Sequence, residues 1–249
     1  MGLFKVKGKK AEVVEETTFA DAEIKEEQLE EWIALNPNIL GEPLLFIGRQ
    51  VEIAEIGDRI DLLGLDTAGN VVVVEVKRAD IRAPVDIQGI RYASYVAGWS
   101  QEQLSDLAAG YVGEDADDFD LEAKFSEFTE QHGGDEEVKL NEGQRIIIVG
   151  HHVQDRLGSV ALWLREQGVD IKLVEIHPFR VGDDLFLEPI VIIPPPSTDK
   201  WEKVGSRARS AETPWRHDGA AWHRQKYGEE SFERMSRLLA LLRERGLAD

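Results

Sequence analysis

The chain has 249 residues, 42% of them hydrophobic, and 48 Asp and Glu against 29 Lys and Arg give a formal net charge of −19. This length supports one large domain or a domain with an appendage, while the charge argues against a nonspecific polyanion binder, because Lys and Arg supply most nonspecific phosphate affinity. The absence of cysteine excludes disulfides, thiolate zinc sites and a cysteine nucleophile; no apolar run reaches the roughly 18 residues of a membrane span, and Met1-Gly2-Leu3-Phe4-Lys5 lacks the apolar core of an export signal. A cytoplasmic protein with no membrane association is expected.

Residues 1–20 alternate weakly around Lys5, Lys7, Lys9 and Lys10 and read as an edge hairpin or an arm. Asp21 has the chemistry of a helix N-cap, and Ile24, Leu29, Trp32, Ile33 and Leu35 mark the apolar face of a helix that ends before Asn36-Pro37. Glu26, Glu27, Glu30 and Glu31 fall on its polar side. Leu44 to Val51 reads as a first strand. Residues 57–78 then form a hairpin around the turn Asp66-Thr67-Ala68-Gly69-Asn70.

Along the second strand of that hairpin, alternation places Val73, Glu75 and Lys77 on one face and Val72, Val74 and Val76 on the other. One face is expected to be core, and the other ends in a carboxylate beside an ammonium. An ionised Glu there is expensive unless something offsets its desolvation, and a divalent metal with a phosphate would do so. Asp61 on the partner strand brings a second carboxylate to the same end.

After Arg78 and Arg82 the pattern predicts a helix from Pro84 to Trp99, on which Gln88 and Tyr92 share a face and Arg91 adds a positive charge. Residues 102–142 hold 14 Asp and Glu against 2 Lys and read as an acidic insertion: helices over 101–111 and 121–131 flank the loop Glu114 to Asp120, which lacks the Gly and terminal Glu of an EF-hand. A strand over 144–150, a helix over 155–167 and a strand over 169–176 form a βαβ crossover onto a parallel pair. His151, His152 and His177 lie at the ends of these strands, a trio with metal-ligand chemistry, although strand-end histidines are more commonly ordinary loop residues. Asp183-Asp184 reads as a turn before Leu185-Phe186-Leu187, and Ile190 to Ile193 as a final strand. Pro194-Pro195-Pro196 opens a linker to residues 197–249, where aromatics among basic residues and an amphipathic helix over 230–246 suggest a docking appendage that packs back on the domain or on a second subunit or, as the alternative, a stacking platform for single-stranded nucleic acid. The fold expected is α/β, with a mixed central sheet flanked by helices and a small, mostly helical C-terminal region.

The arrangement Asp61 … Glu75-Val76-Lys77 resembles the PD-(D/E)xK nuclease superfamily. The run GRQVEIAEIGDRIDLLGLDTAGNVVVVEVKR followed by IQGIRYASYV is similar to the catalytic domain of NucS-type endonucleases. The resemblance implies an endonuclease dependent on Mg2+ or Mn2+, spanning residues 21–196, with Asp61, Glu75 and the Val76 carbonyl holding the metal and Lys77 orienting or deprotonating the attacking water. It also implies a further carboxylate from the first helix, Glu30 in preference to Glu27. Gln88 and Tyr92 would act as supporting residues, and Arg49, Arg59, Arg78 and Arg91 would lie toward substrate phosphate. The implied partner is DNA, whether single-stranded, branched or mismatched, and two chains would pair as a homodimer. No separate N-terminal DNA-binding domain of the full NucS enzymes is recognisable, so their mismatch specificity does not carry over. The alternative is a catalytically silent module of the same fold that binds DNA or a protein.

Overall fold

A computed structural model describes residues 3–54, 57–81, 85–134, 138–194 and Glu229. All but Glu229 belong to a unit spanning Met1–Pro196. The expected linker and appendage over 197–249, Arg82, and the helix start at Pro84 lie outside the described residues.

The elements run β1 (Leu3–Lys7), β2 (Lys10–Val14), α1 (Glu26–Leu35), β3 (Leu45–Ile53), β4 (Asp58–Leu65), β5 (Val71–Val76), α2 (Val85–Val96), α3 (Gln101–Val112), α4 (Leu121–His132), β6 (Gln144–Gly150), α5 (Asp155–Glu166), β7 (Asp170–Val181) and β8 (Asp184–Ile193). Strands β3 to β8 form one sheet in sequence order, and β1 pairs with β2 as a separate hairpin. The β3–β4, β4–β5 and β7–β8 pairs are antiparallel, whereas β5–β6 and β6–β7 are parallel. Parallel neighbours need long crossovers, which α2–α4 and then α5 supply. The expected α/β architecture with a mixed sheet is therefore present.

Strand β5 is central and fully buried on both faces. Leu29 and Ile33 of α1 pack on the face that carries Val72, Val74, Val76, Ile147 and Val149. Val71 and Val73 instead meet Tyr92, Val96, Leu104, Ala108, Phe125 and Phe128 from α2, α3 and α4. The expectation of a single core face on this strand is thus corrected: helices cover both sides, so alternating positions are equally apolar. Within the acidic segment 102–142, α3 and α4 place their apolar residues against the sheet and turn their carboxylates outward.

Two boundaries also differ. Asp21 does not cap α1. Thr18 Oγ1 donates to Asp21 Oδ2 at 2.8 Å, and the Ile24 amide donates to the carbonyl of fully buried Phe19, which closes a local turn and delays the helix to Glu26. Leu185–Leu187 and Ile190–Ile193 belong to one strand, β8, rather than two segments, with the turn at Gly182-Asp183. Pro189 is accommodated because β8 is an edge, where a missing N–H leaves no neighbour unpaired.

At the amino-terminal ends of the parallel strands, Arg145 bonds Glu42 at 2.8 Å and Asp66 at 3.0 Å through Nη1, and Asp170 at 2.9 Å through Nε. Lys172 adds a 2.9 Å bond to Glu42. Asp66 also receives the amides of Ala68 and Asn70, which fixes the β4–β5 turn, and Gly69 supplies its positive φ of 76°. This clamp sets the register in which Asp61 and Glu75 come together at the opposite end.

Candidate active site

The β4–β5 ladder runs from Leu65 opposite Val71 to Leu62 opposite Val74, and there the pairing stops. The next positions are Asp61 and Glu75. Instead of joining the ladder, the Val76 amide donates to Asp61 Oδ2 at 2.8 Å. On its other side β5 stays paired with β6, Glu75 opposite Ile148 and Val76 opposite Val149. The opened strand pair thus directs two carboxylates and the Val76 carbonyl toward one place.

Lys77 closes the group. Its Nζ lies 2.5 Å from Glu75 Oε1, 3.6 Å from Asp61 Oδ2 and 3.7 Å from Glu26 Oε1, and it donates to the Val76 carbonyl at 3.1 Å. The Glu75 contact is an ion pair outside hydrogen-bond geometry, and Glu75 Oε2 has no hydrogen-bond partner among the described residues. Glu75 is fully buried. Burial, with the Asp61 charge adding to it, pushes its carboxyl up to about 7. Asp61 is raised by burial despite the opposing Lys77 charge and Val76 amide. Burial alone would lower Lys77, but the carboxylates of Asp61, Glu75 and Glu26 outweigh it and hold the ammonium protonated above the ordinary lysine range.

Glu30 is buried and turned into the group, while Glu27 offers only its backbone carbonyl, to Arg49 Nη2 at 2.6 Å. Glu30 Oε2 accepts from Arg49 Nε at 3.3 Å and from Gln50 Nε2 at 3.0 Å, and Gln50 Nε2 also lies 3.3 Å from Asp61 Oδ1. Burial raises the Glu30 carboxyl and the Asp61 charge adds to the effect. The donor set is therefore oxygen throughout, with one buried oxygen lacking a partner, the chemistry that a hard divalent cation satisfies.

No family model and no curated protein matches the chain. Two solved structures show a likeness. One, described as a repair endonuclease from Pyrococcus abyssi, is 19% identical with a TM-score of 0.37, covering 61% of this chain and 47% of that one. The other, described as an EndoMS–dsDNA complex, is 18% identical with a TM-score of 0.32, covering 64% and 46%. This chain thus matches about half the length of either. At these TM-scores neither likeness carries an argument, and the functional reading rests on the site.

The other expected residues divide. Gln88 Nε2 donates to Tyr92 Oη at 2.7 Å, as the four-residue spacing predicts. The Tyr92 phenol is raised by burial, with the carboxylates of Asp58 and Glu75 contributing, so it stands within electrostatic reach of the group. Arg49 is engaged by α1. Arg91 pairs with Asp58 and stacks 5.6 Å from the Tyr92 ring centre. Arg59 and Arg78 are exposed, and the Arg78 amide binds Glu26 Oε2 at 2.9 Å.

Three contributors were not singled out from sequence. Glu26 shares a helix face with Glu30 at i, i+4, a legible signal. Gln50 bridges Glu30 and Asp61 only because its backbone turns left-handed, with φ 52°, which side-chain chemistry does not announce. Glu16 meets His151 and His177 at 2.8 Å each, so the three histidines are a cluster and not ordinary loop residues. Burial would raise Glu16, yet its hydrogen bonds with His177 and His151 hold it below the usual carboxylate range.

Proposed function

We propose that the chain is a metal-dependent endodeoxyribonuclease of the PD-(D/E)xK type. The reading is carried by the convergence of Asp61, Glu75 and Lys77 where the β4–β5 ladder ends, with a buried Glu75 oxygen left without a partner. Magnesium or manganese held by Asp61, Glu75 and the Val76 carbonyl, with Glu30 reaching it through a water, would neutralise developing phosphoryl charge and acidify the attacking water.

The residues themselves divide the remaining work. Lys77, kept protonated by its carboxylate neighbours, places a positive charge and hydrogen-bond donors at the phosphoryl oxygens, stabilising the pentavalent transition state and orienting the water. Gln50 fixes the spacing of Glu30 and Asp61. Tyr92, kept neutral by burial and steadied by Gln88, lends its ring to the wall behind Glu75. Arg59 and Arg78, exposed on an otherwise acidic protein, supply the phosphate contacts that bring the backbone to the opening.

The experiment is cleavage of labelled single-stranded, branched and mismatched DNA with Mn2+, comparing wild type with Glu75→Gln and Lys77→Ala. Cleavage is expected in wild type, with a loss of about a thousandfold in both variants. Retained cleavage in Glu75→Gln overturns the assignment. The net charge of −19 favours the second reading, a silent module of the same fold; wild type that binds Mn2+ and DNA without cutting would establish that reading instead.

A further inference from the structure

A second cluster stands at the same end of the parallel strands, where β6 stops at Gly150 while β7 runs on to Val181. The edge of β7 left uncovered beyond β6 is met by residues 16–17: Glu16 bridges Phe179, and the Thr17 amide donates to the Pro178 carbonyl at 2.9 Å. Glu16 is thereby fixed opposite His177. His151 and His152 follow the last residue of β6 and are held by backbone bonds to the segment after Lys77, His151 N to Ala79 O at 3.1 Å and Ile81 N to His152 O at 2.7 Å. The approach is tight enough that a Cβ at Gly150 would stand 2.4 Å from Ile81 Cγ1 and 2.9 Å from Ala79 O.

One ligand atom from each of Glu16, His151, His152 and His177 lies within 4.8 Å of the other three. Glu16 Oε1 is 2.8 Å from His151 Nε2, 2.8 Å from His177 Nδ1 and 3.7 Å from His152 Nε2. A tetrahedral ion with bonds near 2.0–2.1 Å separates its ligands by about 3.3 Å; the Glu16 separations of 2.8–3.7 Å bracket that value, and side-chain adjustment within the 4.8 Å group converts the cluster into a four-coordinate cage. The far nitrogens are also provided for. His177 Nε2 lies 3.0 Å from Glu175 Oε2, His152 Nδ1 lies 4.0 Å from the same oxygen, and His151 Nδ1 lies 3.7 Å from Asp80 Oδ1. The hydrogen bond from His177 to Glu175 is the arrangement that orients a metal-bound histidine and fixes its tautomer, while the carboxylates facing His151 and His152 stand beyond hydrogen-bond distance. His177 is held most closely, its ring lying between Glu16 Oε1 at 2.8 Å from Nδ1 and Glu175 Oε2 at 3.0 Å from Nε2.

We propose that Glu16, His151, His152 and His177 form a nitrogen-rich site for a zinc-class divalent transition ion, separate from the oxygen site at Asp61 and Glu75. Imidazole ligands favour zinc and its neighbours over magnesium. Four protein ligands leave no open position, so the ion acts structurally, tying residues 16–17 and the turn after β6 to the end of β7. That turn forms one wall of a cleft lined by Thr18, Ala20, Arg78, Ala79, Asp80 and His151, so the ion fixes a surface that begins one residue after Lys77.

The test uses the full, tag-free chain after chelator treatment, titrated with Zn2+ against a chromophoric competitor and with Co2+ by visible spectroscopy. Expected are one Zn2+ per chain and the intense visible absorption of four-coordinate cobalt. His152→Ala, whose side chain is about half exposed and outside the core, weakens zinc at least a hundredfold with an unchanged circular dichroism spectrum, and Glu175→Gln weakens it ten- to a hundredfold. Glu75→Gln leaves zinc affinity as in wild type, which separates this site from the nuclease reading. Wild type without stoichiometric zinc, a six-coordinate cobalt spectrum, or His152→Ala binding as tightly as wild type would each overturn the proposal.

Discussion

The amide of Val76 donates to Asp61 Oδ2 at 2.8 Å, so a side chain takes over the main-chain pairing of β4 and β5 where their ladder ends. Asp61 is therefore structural as well as acidic. Asp61→Asn keeps an oxygen acceptor, whereas Asp61→Ala leaves a buried N–H unpaired at a cost of about 1–3 kcal/mol. Both variants are expected to lose cleavage, but only Asp61→Ala is expected to lose that stability. Urea denaturation in the presence of chelator measures the difference, and equal stabilities would show that the bond contributes nothing.

Glu75 makes stability depend on pH with a definite sign. Its carboxyl rises from 4.5 to about 7 on folding, so the folded state holds the proton more tightly than the unfolded state. The resulting stabilisation is fully present below about pH 4.5 and is lost as pH rises toward 7, a change of about 3 kcal/mol. The raised carboxyls of Asp61 and Glu30 act in the same direction, and the lowered ones of Glu16 and Glu42 oppose them. The difference between wild type and Glu75→Gln isolates the Glu75 contribution. In chelator, the variant is expected to gain on wild type between pH 5 and pH 8, and parallel pH curves would refute the burial argument.

Gln50 joins Glu30 to Asp61 from a left-handed backbone position that few non-glycine residues adopt. Gln50→Leu removes one donor from each carboxylate and leaves Glu30 with Arg49 alone. A loss of about 1–2 kcal/mol is expected, with activity falling at least tenfold as the two acids lose their fixed spacing. Thermal melts and single-turnover cleavage at saturating Mn2+ measure the two effects separately.

Arg59 and Arg78 are exposed, two residues before Asp61 and one after Lys77. Replacing either with Ala is expected to weaken DNA binding at every sequence tested and to reduce the salt dependence of log K by about one unit. Fluorescence anisotropy across a salt series provides the slope, and an unchanged slope would place the phosphate path elsewhere.

The central hairpin was legible because a turn-rich pentapeptide precedes a run of valines, and the positions of Glu75 and Lys77 follow once that strand is placed. The Gln88–Tyr92 bond follows from helical spacing alone. Asp21 misled because the carbonyl of buried Phe19 accepts from the Ile24 amide and closes a turn that local capping chemistry cannot foresee, and the two segments Leu185–Leu187 and Ile190–Ile193 run on as one strand because the edge position tolerates Pro189 between them. The contact of Glu16 with His151 spans 135 residues. No spacing rule connects them; only the overhang of β7 beyond β6 brings them together.

The clamp at Arg145 gives the sheet a fixed pole. Two cations, Arg145 and Lys172, and three carboxylates, Glu42, Asp66 and Asp170, answer one another at the amino-terminal ends of the parallel strands, whereas the ladder at the other pole stops short of Asp61 and Glu75. Fluctuations that open β4 from β5 therefore start at the Asp61 end and travel toward Asp66. Among the β5 amides that face β4, hydrogen exchange should be fastest at Val76, which is held only by the Asp61 side chain, and slower toward the Asp66 turn, so the region that must admit a substrate is also the first to breathe.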